Sequence, residues 1–328
     1  MTILITGAAG FIGYHVARTL TARGESVVGI DNLNDYYDPQ LKADRLAQLD
    51  SAHFRFIRTD FADHAALEAA LADIAFDRIV HLGAQAGVRY SIDNPRAYVT
   101  ANLAGHLNLL ELARHRRTRH MVYASSSSVY GGNKTLPFRV EDRVDHPISL
   151  YAATKKADEL MSETYAHLYR APLTGLRFFT VYGPWGRPDM AMWIFTRKIL
   201  AGQPIEVFNH GRMRRDFTYV DDIVAGVIAA LDNPPPDDGA PKAGGSLSPH
   251  RIYNLGNNRS EDLMRLISLL EQACGRPAER VMLPMQPGDV AETYANITDA
   301  VRDLGYSPAT AIDAGVPRFV DWYRRYHG

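Results

Sequence analysis

Thr2-Ile3-Leu4-Ile5-Thr6-Gly7-Ala8-Ala9-Gly10-Phe11-Ile12-Gly13 is the stretch that decides the fold of this chain. A short strand-forming run enters a glycine turn, and the apolar spacing from Phe11 to Arg23 is that of a helix. Gly7, Gly10 and Gly13 form G-x-x-G-x-x-G rather than the commoner G-x-G-x-x-G. Glycine in such a turn lets the backbone approach a pyrophosphate, whose charge is met by the amides and dipole of the following helix. Glycine triplets recur by chance, so a purely structural turn is the competing reading. Asp31 lies 18 residues beyond Gly13 at the end of the next strand. A carboxylate there accepts hydrogen bonds from an adenosine ribose and repels a 2′-phosphate. Asn32 and Asn34 supply no arginine to offset that repulsion, although Lys42 lies not far along. The pattern therefore predicts NAD rather than NADP. Asp60-Phe61, after the third strand, is placed to read an adenine edge, with Asp60 accepting from its amino group; an ordinary turn aspartate is the alternative.

Outward from the turn, apolar strands alternate with helical stretches. Strands are predicted at 2–6, 26–30, 54–59, 78–82, 120–124 and 174–179, with helices over 11–23, 64–75, 95–115 and 151–169. That alternation means a parallel sheet covered on both faces, a doubly wound dinucleotide fold. After Thr180 the pattern changes to loop chemistry, Gly183-Pro184-Trp185-Gly186-Arg187-Pro188. Helices are predicted over 192–201, 220–231, 261–275 and 314–326, and a strand over 252–255. The stretch from Asn233 to His250 holds five prolines and three glycines, which predicts a mobile surface loop over 233–250.

A chain of 328 residues with 46% hydrophobic content can bury a substantial core. Thirty-six basic and 37 acidic residues leave a net charge of −1, which argues against a nucleic-acid partner. Cys274 is the only cysteine; no intrachain disulfide can form, as in a reducing cytoplasm, and it reads as a small apolar filler. No apolar stretch approaches the roughly 20 residues of a membrane span, and the amino terminus lacks a basic segment ahead of an apolar core. A soluble cytoplasmic protein is expected. The twelve histidines show no HxxxH or HxH pairing, so no metal is expected.

Tyr151 and Lys155 are four apart and share a helix face. An ammonium beside a phenol favours the phenolate and makes the tyrosine usable as a base. Lys155 can also bond a nicotinamide ribose. Ser125-Ser126-Ser127-Ser128 follow the fifth strand, which puts hydroxyls at the carboxyl end of a central strand, where ligands sit in this architecture. Each feature has a bland counterpart: an amphipathic helix with an exposed lysine, a serine-rich loop. In combination with the glycine turn and Asp31 they describe apparatus for moving a hydride at a carbinol carbon.

Seven segments carry a resemblance over essentially the whole length: Gly7–Gly13, Asp31–Tyr37, His81–Arg89, Ser125–Gly131, Leu150–Lys156, Arg177–Met190 and Arg215–Asp222. On these the chain resembles the extended short-chain dehydrogenase/reductases, and within them the nucleotide-sugar 4-epimerases, above all those acting on UDP-glucuronate. The resemblance implies a Rossmann-type α/β domain over 1–180 together with about 216–256. It implies a smaller mixed α/β substrate domain from 181–215 and 257–328. It also implies a tightly bound, regenerated NAD, with Tyr151 as base, Ser126 sharing the sugar 4-hydroxyl, and no net redox change. Phe11, Ile12, Leu82, Gly83, Ala84, Gln85, Asn102, Ala124, Ser125 and Phe178 join the cofactor contacts by the same resemblance. Arg215 is the expected pyrophosphate cation and Arg89 a second candidate. Phe208 matches the uracil-stacking aromatic and Asp289 the ribose-binding aspartate; Gln286 stands where galactose epimerases have arginine. A homodimer is implied, joined through helices 95–115 and 151–169.

The resemblance also bears on the branch of chemistry. Dehydratases carry Asp-Glu where this chain has Ser127 and Ser128, and UDP-glucuronate decarboxylases place glutamate at the position of Ser128. Both departures favour simple epimerisation. Oxidised at carbon 4, glucuronate becomes a β-keto acid that loses carbon dioxide if its carboxylate aligns with the carbonyl π system. Ser127, Ser128 and Thr180 are suited to pinning that carboxylate, with Arg187 adding a charge-assisted bond or shaping the same pocket; turn capping is the alternative, and Met190 is expected among the substrate contacts. Epimerisation of UDP-glucose and UDP-galactose, decarboxylation of UDP-glucuronate, and a non-catalytic NAD-sensing protein are the competing functions.

Overall fold

The structure is a computed structural model that describes residues 2–286 and 288–328; Pro287, within the Gln286–Asp289 motif, and Met1 lie outside the described residues. In the first half, β1 (Thr2–Thr6), α1 (Phe11–Ala22), β2 (Ser26–Asp31), α2 (Pro39–Ala47), β3 (Phe54–Arg58), α3 (His64–Leu71) and β4 (Arg78–His81) alternate. Next come α4 (Tyr90–Asp93), α5 (Pro95–Tyr98), a π-helical turn (Val99–Ala104), α6 (Gly105–Arg116), β5 (His120–Ser126) and α7 (Leu150–Tyr169). The chain continues through β6 (Leu173–Phe178), β7 (Thr180–Tyr182), α8 (Ala191–Ala201), β8 (Ile205–Val207), β9 (Arg214–Arg215), β10 (Phe217–Tyr219) and α9 (Val220–Asp232). It ends with β11 (His250–Leu255), β12 (Glu261–Asp262), α10 (Leu263–Cys274), β13 (Arg280–Met282), α11 (Thr298–Leu304) and α12 (Ile312–His327).

Seven strands form one parallel sheet in the order β11-β6-β5-β4-β1-β2-β3. The order reverses between β1 and β4, the switch point where this architecture opens a crevice at the strands' carboxyl ends. β1, β4 and β5 are almost wholly buried, as strands covered by helices on both faces must be. The predicted doubly wound sheet is therefore present. Apart from this sheet, β7 pairs with β10, β8 with β13 and β9 with β12. In the second half α8 and α12 pack against α10, and Trp185, Trp193, Phe319, Trp322 and Tyr326 form a cluster of tilted, edge-on and stacked rings.

The elements differ from expectation in three informative places. The helix predicted over 95–115 contains the π turn Val99–Ala104. Helix α2 escapes a reading by periodicity, although Asp38-Pro39 carries its start signal: the Asp38 side chain accepts from the Gln40 amide, with Pro39 in the first turn. That helix carries Arg45, whose guanidinium is fully buried and donates to the carbonyls of Ala9, Trp185 and Gly186 at 2.7–3.1 Å. It thereby ties the glycine turn to the loop before Arg187. The helix predicted over 64–75 stops at Leu71. Residues 233–249 hold no helix or strand, and Asp237 and Ser246 of this stretch bond Arg170 and Glu163. Cys274 is buried, as expected of a filler. Among the described residues no helix is long and apolar enough to cross a membrane.

Beneath the serine run, Arg177 of β6 makes a two-pronged bond to Glu159 of α7, at 2.8 and 2.9 Å. Both side chains are almost wholly excluded from water, and Ser125 and Tyr130 complete the network. Removing one partner strands the other charge in the core, so Arg177→Met is expected to destabilise the fold by about 3–5 kcal/mol. Urea unfolding followed by circular dichroism measures it; a loss below about 1 kcal/mol would show that the pair is not holding α7 against the sheet.

Candidate active site

Glycine is demanded by the geometry of the turn. Gly7 has φ +69°, and a Cβ there would lie 2.7 Å from the Gly83 nitrogen. A Cβ on Gly13 would sit 2.0 Å from the Gly7 carbonyl oxygen. Helix α1 therefore presses directly on the turn, and its Gly10 cap contributes no side chain. Its first amides are left for an external acceptor, the arrangement that receives a phosphate. The carboxylate of Asp31 accepts from the amides of Ala9 and Leu33 at 3.3 and 2.9 Å, fixed at the end of β2. Lys42 is buried beside it, 3.8 Å from Asp31 and donating to Asn34 at 2.8 Å. Burial lowers the basicity of Lys42 and Asp31 works against that loss. Asp60 accepts from Asn32 and from the Ala62 amide, so it stiffens its turn while bordering the same channel.

These groups open into one cavity of about 1150 Å³ that continues from β1 and β2 across the switch point to the substrate side. Every residue predicted above for the cofactor, the chemistry or the substrate borders it except Asn102. Asn102 lies behind the wall, held by the π turn. Its amide accepts from the Gln85 nitrogen at 2.8 Å and donates to the Gln85 oxygen and to Thr154 at 3.1 and 3.0 Å. Asn102 thereby braces the 82–85 loop, whose residues border the cavity, against α7.

At the centre, the Ser149 cap starts α7, which brings Tyr151 and Lys155 to the cavity beside the serine run. Lys155 is buried, and its ammonium donates to the Ala124 carbonyl at 2.9 Å and to Asp158 at 3.1 Å. The Ser126 hydroxyl accepts from the Ser128 amide at 3.1 Å, keeping its own proton free to donate. Ser125 donates to Glu159 at 2.7 Å, so its hydroxyl belongs to the core and only its backbone side serves the cavity.

Toward the substrate side, Arg187 donates twice to Asp189, at 3.0 and 2.5 Å. Burial works against its charge, but Asp189 more than offsets this and holds its basicity above the ordinary arginine value. Tyr36 reaches across the crevice from the loop after β2 and donates to Asp189 at 3.0 Å. Burial and Asp189 push the Tyr36 phenol up to about 12, so it remains a donor. Sequence reasoning assigned no role to Tyr36 or Asp189; Asp35-Tyr36-Tyr37 is a recognisable string, but nothing in it tells that it meets a loop about 150 residues on. At the far end Arg89 stacks 5.1 Å over Phe208 and lies 3.4 Å from Asp289, with Arg215 at the same end of the cavity. Burial lowers the basicity of Arg215 and Asp289 counters it, the setting of a cation kept for an anionic ligand. Among the described residues no three His, Cys, Asp or Glu side chains converge as a metal site.

A dinucleotide channel leading to a Tyr/Lys/Ser cluster and a cation-lined second chamber defines a nucleotide-dependent α/β enzyme of the doubly wound class. The chain belongs to the NAD dependent epimerase/dehydratase family, whose model matches residues 3–256. It is 48% identical to a probable UDP-glucuronate 4-epimerase of Rhizobium meliloti (strain 1021), over 100% of this chain and 99% of that one. Its fold is similar to the UDP-glucuronic acid 4-epimerase of Bacillus cereus in complex with UDP-glucuronic acid and NAD, with TM-score 0.89, 34% identity and 100% of both chains covered. A UDP-glucose 4-epimerase of Thermotoga maritima with UDP-glucose superposes with TM-score 0.88 at 29% identity, again over 100% of both chains.

The Gly13 contact yields a direct test. Gly13→Ala forces a methyl onto a backbone oxygen that cannot rotate away, at a stability cost of about 1–3 kcal/mol. The purified variant is expected to melt lower and to carry far less NAD, read from the nucleotide released on denaturation. Wild-type melting with a full complement of NAD would overturn this account of the turn.

Proposed function

We propose that this protein interconverts UDP-glucuronate and UDP-galacturonate by NAD-dependent epimerisation at carbon 4, through a transient 4-keto sugar and without decarboxylation. The observation that carries this reading is the placement of Tyr151, Lys155 and Ser126 where the dinucleotide channel meets a chamber lined by Ser127, Ser128, Thr180 and Arg187. NAD, when bound, supplies the hydride acceptor that makes oxidation at the carbinol carbon reversible. Gly7, Gly10 and Gly13 give the pyrophosphate its approach, and Asp31 takes the adenosine ribose. Tyr151 removes the proton of the 4-hydroxyl and returns it after the sugar has turned, with Lys155 one helical turn away and Ser126 steadying the oxygen. Arg215 and Arg89 neutralise the UDP pyrophosphate, Phe208 stacks on the base and Asp289 bonds the ribose. Ser127 and Ser128 offer neither a general acid nor a general base for a second reaction at the 4-keto stage. The hydroxyls of Ser127, Ser128 and Thr180, with Arg187, hold the sugar carboxylate out of line with the carbonyl. Decarboxylation is thereby denied the overlap it requires.

A homodimer is part of the reading. Val99 and Leu107 on the helices before β5, and Leu160, Leu168 and Tyr169 on α7, expose large apolar surface, which argues for a partner copy covering both helices. The single buried cysteine fits a reducing compartment such as the cytoplasm.

Purified protein incubated with UDP-glucuronate should yield UDP-galacturonate; a UDP-pentose would mean decarboxylation, and no turnover would favour a sensor. Tyr151→Phe should lower kcat by about 10²–10⁴-fold while NAD stays bound. Leu160→Glu should convert the dimer to a monomer in light scattering. An unchanged mass would place the interface elsewhere.

A further inference from the structure

Lys155 is held from behind by a second acid. Asp158 follows it by three residues on α7, and both side chains are almost completely excluded from water. One Asp158 oxygen accepts from the Lys155 ammonium at 3.1 Å. The other is buried with no hydrogen-bond partner. The adjacent acid, Glu159, is already committed to Arg177, Ser125 and Lys156. An ammonium has three N–H bonds in tetrahedral array. Two of those on Lys155 go to Ala124 and Asp158, which fixes the direction of the third.

We propose that Asp158 is a positioning residue for the catalytic lysine: it anchors the Lys155 ammonium from the core side and so aims its remaining N–H at the cavity. The inference rests on the reading of Tyr151 and Lys155 as the reacting pair. A buried carboxylate with an orphaned oxygen costs stability unless something offsets it, and the fold places the compensating charge on the one lysine the chemistry needs.

The pair also carries a proton-dependent charge. Burial raises the Asp158 carboxyl to about 6, with Lys155 pulling the other way and Glu159 adding to the rise. Facing it from other elements are His106 of α6, whose Nε2 meets the Ser162 hydroxyl at 2.9 Å, and the Tyr123 phenol of β5. His81 of β4 stacks on His106 at 5.3 Å. Burial pushes both histidines far below neutrality and Tyr123 well above its usual range, so all three are uncharged near pH 6. Below about pH 6 the carboxyl is protonated and the pair is a net cation; above it the pair is neutral.

The test compares NAD-loaded wild type, Asp158→Asn and Asp158→Ala across pH, with UDP-glucuronate as substrate. Asparagine keeps an oxygen for Lys155, whereas alanine removes it. Wild-type kcat should fall by no more than about threefold as pH drops through 6, to the level of Asp158→Asn, whose own profile should lack that inflection. At pH 8, Asp158→Asn should stay within about threefold of wild type, and Asp158→Ala should lose about tenfold to a hundredfold in kcat with KM little changed. Carbon NMR gives a readout independent of turnover: the Asp158 carboxyl, assigned by its loss in Asp158→Asn, should titrate near pH 6, and at higher pH in Lys155→Met. Equal kcat in all three proteins, a persisting inflection in Asp158→Asn, or an Asp158 midpoint unmoved by Lys155→Met would each overturn the proposal. If Asp158→Ala fails to fold, the NMR titration still decides. A wild type that cannot epimerise UDP-glucuronate would instead sink the functional reading and leave the titration to judge the anchor.

Discussion

The contact between the Gly7 carbonyl and helix α1 at Gly13 is the constraint from which the rest of the site follows. A methyl group at Gly13 would lie 2.0 Å from that oxygen, so only glycine lets the helix start so close to β1. Its free amides then face the crevice at the point where the sheet order reverses between β1 and β4. Arg45 fastens this turn to the loop carrying Trp185 and Gly186. Cofactor channel and substrate loop are thus parts of one hydrogen-bonded assembly, and the position of Arg187 depends on the packing of α2.

Charge in the interior is handled in pairs. Arg177 and Glu159 neutralise each other beneath the serine run, Lys155 meets Asp158, and Lys42 lies near Asp31. Each pair is buried, where an unmatched charge would cost several kcal/mol; Lys155, Asp31 and Lys42 border the cavity themselves, while Arg177 and Glu159 stand behind the serine run. Arg187 repeats the arrangement at the substrate end, with Asp189 and Tyr36 as its supports. A guanidinium already bridged on one side has less freedom to swing, which suits the carboxylate-holding role proposed for it.

Much of this was legible in the chain itself. The glycine spacing, Asp31, the Tyr151/Lys155 interval and the serine run are local patterns, because each depends on the turn or helix that contains it. Arg45 and Asp158 were not legible in that way. Helix α2 buries polar Lys42 and Arg45 rather than an apolar stripe, so periodicity misses it. Asp158 reads as one more charge on an amphipathic helix. Asn102 was expected at the cofactor from its place in a familiar pattern; its bonds to Gln85 and Thr154, which brace the 82–85 loop, could not be read from that pattern.

The parallel sheet, the dinucleotide turn and the side chains proposed to react follow from periodicity and from residue chemistry over a few positions, so a linear reading reaches them. Packing settled which distant groups stand behind them: Tyr36 on Asp189, Arg45 on Ala9 and Trp185, and Arg177 of β6 on Glu159 of α7. Such contacts join surfaces brought together by packing, and their geometry depends on how helices seat against the sheet, a property that no short segment of the chain carries.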